Sequence, residues 1–225
     1  TALAAGALAG ISSTKVVYTP TTTLVNNDRL GCSVGISGDT AVIGARGSRD
    51  ANGKAFVAGL SSGAWSEIAK LSASTGGASG VSSLINLGET VVMNSNGIIA
   101  VSAPASKVTS NSAAAGAVFV YERPPGGWTG TLTQSETVLS ENPEDNGFFG
   151  AALAISQNYL IVGASNEQTN GQGRAYVYKY SSSGSPLYSL NFTVDGGVVH
   201  PGSNFGEAVA ISNTMAFIGA PGESN

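Results

Sequence analysis

The sequence predicts an all-β protein: a β-propeller of four-stranded antiparallel blades, about four of them visible, as a whole or as part of a larger propeller. Three observations carry this. One motif recurs over residues 30–45, 87–104, 149–164 and 205–221. Its anchoring glycines, Gly31, Gly88, Gly150 and Gly206, are spaced by 57, 62 and 56 residues. Each copy, and the segments between copies, reads as strand. A period of that size built from strand-like runs marks a propeller or a similar array.

The third copy shows how each unit is built. Ala152, Ala154 and Ser156 alternate with Leu153 and Ile155, the period of a strand. Gln157-Asn158 makes a short polar turn, and Tyr159-Leu160-Ile161-Val162 is a continuous apolar run closed by Gly163. Two strands so joined form a tight hairpin. The other copies place Gly38-Asp39, residues 94–97 and Asn213-Thr214 at the turn. The second copy is one residue longer there and carries Ser102 where the others carry Gly44, Gly163 and Gly219.

A polar loop and a third strand follow, over residues 54–57, 117–121 and 174–179. Turns at 61–63, 124–127 and 181–184 then lead to a fourth strand beginning near Trp65, Trp128 or Tyr188. The recurring glycines suit central strands that approach closely, where a missing side chain admits a neighbouring backbone. The recurring aromatics favour packing over a sugar-stacking platform.

The organisation follows. Residues 1–29 supply outer strands of a shared blade; 30–86, 87–148 and 149–204 are blade repeats; 205–225 are the first hairpin of an incomplete blade; together they form one propeller domain. Residues 15–24 read as a fourth strand, and residues 2–11 as a candidate third. Residues 1–11 also read as the tail of a signal peptide, without its charged n-region. Three readings of the ends stay open: closure of the shared blade within the chain, a fragment of a larger propeller, and completion by another copy into a head-to-tail polymer.

The Phe-Gly start and Gly-Ala-Pro end, complete in Phe205-Gly206 and Gly219-Ala220-Pro221 and partial in Phe149-Gly150 and Gly163, resemble FG-GAP repeats. Such repeats build the β-propeller head of integrin α subunits and of many microbial surface proteins. The resemblance runs from about residue 30 to 221 and implies an extracellular or cell-surface interaction module. Calcium-binding members carry an Asp-rich loop between the two motif halves. Here that link holds at most Asp39, while calcium takes about 6–8 oxygen ligands, so no calcium site or other cofactor is carried over.

Composition narrows the classes further. Charged residues are 11%, against about 25% in typical soluble chains, and Gly numbers 31. This suits secreted β-proteins. The net charge of −4 and scattered Lys and Arg give no basic field for nucleic acid. No stretch reaches the roughly 18–20 apolar residues of a membrane helix. Cys32 is the single cysteine, read as a small strand residue or as half of an intermolecular disulfide.

Residues suited to catalysis are few. His200 is the only histidine; a Ser/His/Asp triad would need it as base, yet no Gly-x-Ser-x-Gly elbow accompanies it, and it reads as a loop residue. Glu141, Glu144 and Asp145 gather once, in a link marked by Pro143 and flanking Asn residues. The most charged stretch, residues 46–54, joins two strands and ends in a turn at Asn52-Gly53. Gly76-Gly77 and Gly126-Gly127 match no phosphate loop. Asn191-Phe192-Thr193 is the one N-glycosylation sequon, on a predicted outer strand where Asn191 is accessible. The functional expectation is a non-catalytic extracellular adhesion or structural module whose partners are proteins or copies of itself, able to build a surface filament. A glycan-binding lectin is the alternative, and an enzyme the third class.

Overall fold

A computed structural model describes residues 2–5, 15–24, 28–47, 52–76, 80–108, 113–168, 171–184, 186–197 and 200–223. Arg49, Asp50 and Gly77 lie outside the described residues. Nineteen strands and no helix run through the described part. β1 (Ala2–Ala5) and β2 (Lys15–Tyr18) form an antiparallel pair.

The first large sheet is an antiparallel meander of β3 (Leu30–Ser37), β4 (Thr40–Ala45), β5 (Lys54–Ser61) and β6 (Ala64–Ser72). β7 (Val81–Ser83) leads into the second meander: β8 (Val91–Met93), β9 (Ile98–Ala103), β11 (Ala117–Glu122) and β13 (Glu136–Val138). The short β10 (Lys107–Val108) leaves this meander to pair with β7. The third comprises β14 (Phe149–Ile155), β15 (Tyr159–Ala164), β16 (Arg174–Tyr180) and β17 (Tyr188–Val194). β18 (Ala208–Ile211) and β19 (Ala216–Gly219) pair only with each other. The fold is therefore all-β, with three four-stranded antiparallel meanders in the expected order.

Two features differ from the sequence expectation. Trp128 does not open the fourth strand of its repeat. It precedes β12 (Gly130–Thr133), which adds in parallel to the edge of β6 in the first sheet. The fourth strand is β13, after a further bend. The longest repeat step thus houses an extra strand that crosses to its neighbour. The two chain ends, read from sequence as one shared sheet, stand as separate pairs: neither β1 nor β2 bonds to β18 or β19.

The second strands read as unbroken apolar runs because they are covered on both faces. All six residues of β9 and the last five of β15 are buried. Residues of the first sheet that point toward the second, Val42, Ala55, Val57, Ala69 and Leu71, meet Val91, Ile99, Val101 and Phe119 of the second. Ala100, Val118, Val120 and Val138 on the far face of the second sheet meet Phe149, Leu153, Leu160 and Tyr176 of the third. Ile161, Ala175 and Val177 then meet Val209, Ile211 and Ile218 of the last hairpin. Each sheet thus has a leading face toward the preceding sheet and a trailing face toward the next. At the front, Tyr18 packs on Ile43 and Ala58 of the first sheet's leading face.

The motif glycines make these contacts possible. A Cβ on Gly44 would lie 2.1 Å from the carbonyl oxygen of Gly88, and one on Gly163 would lie 1.9 Å from that of Gly206. The glycine ending one hairpin therefore sits on the glycine starting the next. At the second junction the place of the first partner is held by Ser102, whose Cβ is 2.9 Å from where Gly150 would carry its own. Gly88 N–H donates to the carbonyl of Ser102 at 2.9 Å, and Gly206 N–H to that of Gly219 at the same distance.

Candidate interaction surfaces

The chemistry-bearing residues singled out by sequence are mostly tied into the structure. His200 is exposed; its Nδ1 pairs with Glu223, and its backbone N–H donates to Glu223 Oε2 at 3.1 Å. Glu144 Oε2 accepts the backbone N–H of Gln168 at 2.9 Å, and Asp145 Oδ1 accepts that of Ala113 at 2.8 Å. These acids brace the link to neighbouring loops. Glu141 is exposed. Among the described residues no three Asp, Glu, His or Cys side chains gather as a metal site.

Cys32 lies on β3, where its Sγ donates to the carbonyl of Gly88 at 3.2 Å, at the junction with the second sheet. The described ends of the charged segment 46–54 are ion-paired. Arg46 pairs with Glu89, and Lys54 Nζ lies 3.1 Å from Asp28 Oδ2. Gly53, expected in a solvated turn, instead forms a parallel bridge with Leu87 of the next repeat. A Cβ there would lie 2.1 Å from the Leu87 carbonyl oxygen. Gly116 and Gly173 stand equally close to Phe149 and Phe205. This third glycine of the repeat escaped the sequence reading, although each copy stands directly before a third strand.

The recurring aromatics are packing residues. Trp128 and Tyr188 are buried on leading faces of the second and third sheets, and half-buried Trp65 packs with Tyr18 on the first. Trp128 fills this role from the segment before β12. Asn191 is exposed on β17, at a bulge where Phe192 pairs with Val177 and Leu190 with Tyr178. It is the extra residue of that bulge, with no cross-strand partner in the ladder.

The structure adds a buried polar cluster that sequence did not indicate. Glu167 is 0% exposed and accepts the Tyr176 hydroxyl. Tyr176 also bonds Ser140 Oγ at 2.9 Å, and Arg174 reaches Asp195 at 3.0 Å and Glu167 at 3.9 Å. Glu167 Oε1 has no hydrogen-bond partner. Burial pushes the Glu167 carboxyl above the usual carboxylate range, against the lowering pull of Tyr176, Ser140 and Arg174.

Two kinds of surface remain open. An open recess of about 530 Å³ lies where the starts of the repeats meet, lined by Asn86, Glu89, Phe148, Asn166, Asn204 and Glu207, among others. The second kind is apolar and lies at the two ends of the series of sheets. Val34 and Ile36 on β3 are each 63% exposed; Met215 and Phe217 are 63% and 71% exposed. The motif positions Gly44, Gly88, Phe149, Gly150, Gly163, Phe205 and Gly206 all lie at contacts between successive units, whereas Gly31 is exposed near the start of β3, and Gly219 and Pro221 lie in the last hairpin and the turn after it.

No curated protein matches the chain. The FG-GAP repeat profile matches two separate stretches, one running from the approach to β3 into β5 and the other from β12 into β16. Over residues 25–58 and 132–178 the chain is similar to FG-GAP repeats.

Proposed function

We propose that the chain is a β-propeller interaction module without catalytic function, acting outside the cell or at its surface as an adhesion or structural element. Residues 30–86, 87–148 and 149–204 are its blades; 1–29 and 205–225 are halves of another. The observation that carries this reading is the mode of stacking. Successive FG-GAP units meet through equivalent apolar faces and motif glycines. His200, Glu144 and Asp145 each tie their own loop to another. Partners are proteins, copies of the chain included. Asn191, exposed on its bulge, is the glycan acceptor in a secretory pathway.

The lectin alternative expects equivalent aromatic and Asn or Asp residues facing repeated clefts. Trp128 and Tyr188 are instead buried between sheets, while Asn86, Asn166 and Asn204 line the open recess, so its aromatic half is without support. Antibody Fab fragments against the chain are expected to label intact source cells and to weaken their attachment to one another or to a surface. Labelling seen only after permeabilisation would overturn the extracellular assignment. Labelling without any effect on attachment would overturn the adhesive role.

A further inference from the structure

The link between the second and third sheets, residues 139–148, is held against the third unit by the short loop after β15. Asn166 donates to this link twice, from its N–H to the Gly147 carbonyl at 3.4 Å and from Nδ2 to the Asn146 carbonyl at 2.8 Å. Gln168 N–H donates to Glu144 Oε2 at 2.9 Å. Glu167, between them, is turned inward and fully buried. A Cβ on Gly147 would lie 2.7 Å from Glu167 Cγ, so the link carries glycine where this side chain passes. Glu167 accepts the Tyr176 hydroxyl, which also bonds Ser140 Oγ of the link. The Tyr178 hydroxyl donates to the Leu139 carbonyl at 3.2 Å.

The preceding unit makes the same contact with a neutral group. Ser106 follows Ser102-Ala103 at the same spacing as Glu167 follows Gly163-Ala164. Ser106 and Glu167 each donate their N–H to that alanine's carbonyl at 3.1 Å. Their own carbonyls accept the N–H of the glycine before the third strand, Gly116 at 3.0 Å and Gly173 at 2.7 Å. Ser106 Oγ accepts the Ile85 N–H at 2.8 Å and donates to the Ile85 carbonyl at 3.2 Å. Ile85 stands before Gly88 where Gly147 stands before Gly150. The serine contact is complete. Glu167 puts a carboxyl in the same place, with Oε1 buried and without a hydrogen-bond partner.

The groups around Glu167 compensate a negative charge poorly. Arg174 Nη1 is 3.9 Å away, and Arg174 Nε is committed to Asp195 at 3.0 Å. Glu144, on the link, brings like charge. Burial raises the Tyr176 and Tyr178 phenols, so both stay neutral. A buried charge without full pairing is costly, so the proton is held while the link is closed and given up when Glu167 reaches water.

We propose that Glu167 is a pH-sensitive latch: uncharged, it holds the link 139–148 against the third unit, and on losing its proton it releases the link. Phe148 adjoins Gly147, Asn166 adjoins Glu167, and both line the recess of about 530 Å³, so release also moves one wall of that recess. One proton is involved. The opening constant therefore rises by up to about tenfold per pH unit above the ordinary carboxylate value of about 4.3. It levels off above the raised value of the closed state.

The test is hydrogen exchange of the full chain, followed by NMR at a series of pH values from about 4 upward and expressed as protection factors, which remove the intrinsic pH dependence of exchange. Protection of the Asn166 and Gln168 amides is expected to fall by up to about tenfold per pH unit. The Ile85 amide, held by Ser106, is expected to keep its protection. Glu167→Gln, which cannot ionise, is expected to abolish the fall at Asn166 and Gln168. Phe148 and Asn166 resonances are expected to shift with the same midpoint in the wild type. An equal fall in Glu167→Gln overturns the proposal. Gln168 protection as high as that of the buried β15 amides at every pH overturns it too, since the link would then open only with the whole fold. Unmoved Phe148 signals overturn the coupling to the recess. Should Glu167→Gln not fold, the wild-type Glu167 carboxyl carbon is titrated directly. A raised midpoint shared with the loss of Gln168 protection supports the latch, and a midpoint at the ordinary carboxylate value overturns it.

Discussion

Glu167 illustrates how much of this fold depends on single side chains that no repeat pattern announces. Its carboxyl is buried, with one oxygen on Tyr176 and the other unpartnered, and its protonation is favoured in the folded state. A carboxyl whose folded pKa is raised adds stability below the unfolded value, about 4.3, and that contribution is lost as pH rises through the raised value. The melting temperature is therefore expected to fall as pH rises above the unfolded value, and the fall to be smaller in Glu167→Gln, which cannot ionise. Equal slopes in the two proteins would show that Glu167 is not the titrating group. Glu167→Ala, which removes the buried acceptor of Tyr176 and leaves it only Ser140, is expected to lose about 1–3 kcal/mol at pH 5. Nothing in the motif marked this position, because the cluster forms from a loop and a link distant in sequence. Asn94 was more legible. The second hairpin is one residue longer, and Asn94 Oδ1 accepts the N–H groups of Asn96 and Ile98 at 3.0 and 3.1 Å while its Nδ2 reaches the Ser156 carbonyl of the next sheet at 2.9 Å. A side chain that supplies local turn bonds offsets the irregular spacing.

The hairpin is the element that sequence described best, and the outer strands the element it described least well. Inner strands carry a double constraint, apolar on both faces with glycine at fixed ends, so their pattern survives in every copy. Outer strands meet fewer neighbours, and the second repeat diverts β12 onto β6 without a distinct sequence signature. The close approach of hairpins gives a sharp contrast between two equivalent glycines. Gly163→Ala would thrust a methyl to within 1.9 Å of the Gly206 carbonyl oxygen, whereas Gly219→Ala meets nothing nearer than the Ala208 side chain at 3.3 Å. Overpacking against backbone costs about 1–3 kcal/mol or more, so Gly163→Ala is expected to lower the urea midpoint clearly. Gly219→Ala is expected to leave it nearly unchanged in the single chain. Similar losses in both would mean that glycine is required for strand conformation and not for contact with the next unit.

At the scale of the molecule, the series of sheets is held together by matched leading and trailing faces. The period of the repeat showed the series; how the faces interlock required coordinates. Asn191 lies beside one such contact. With Phe192 and Met215 it lines a recess of about 160 Å³ between β17 and the last hairpin, and its side chain is exposed. A glycan is bulky and hydrated, so it is accepted only where the side chain faces solvent. Chain secreted from a glycosylating host is therefore expected to carry a glycan at Asn191, read as a mass that Asn191→Gln loses, and to keep the circular dichroism of the unglycosylated chain. A glycan whose attachment alters the β-sheet signal would show instead that the contact between β17 and the last hairpin closes over Asn191.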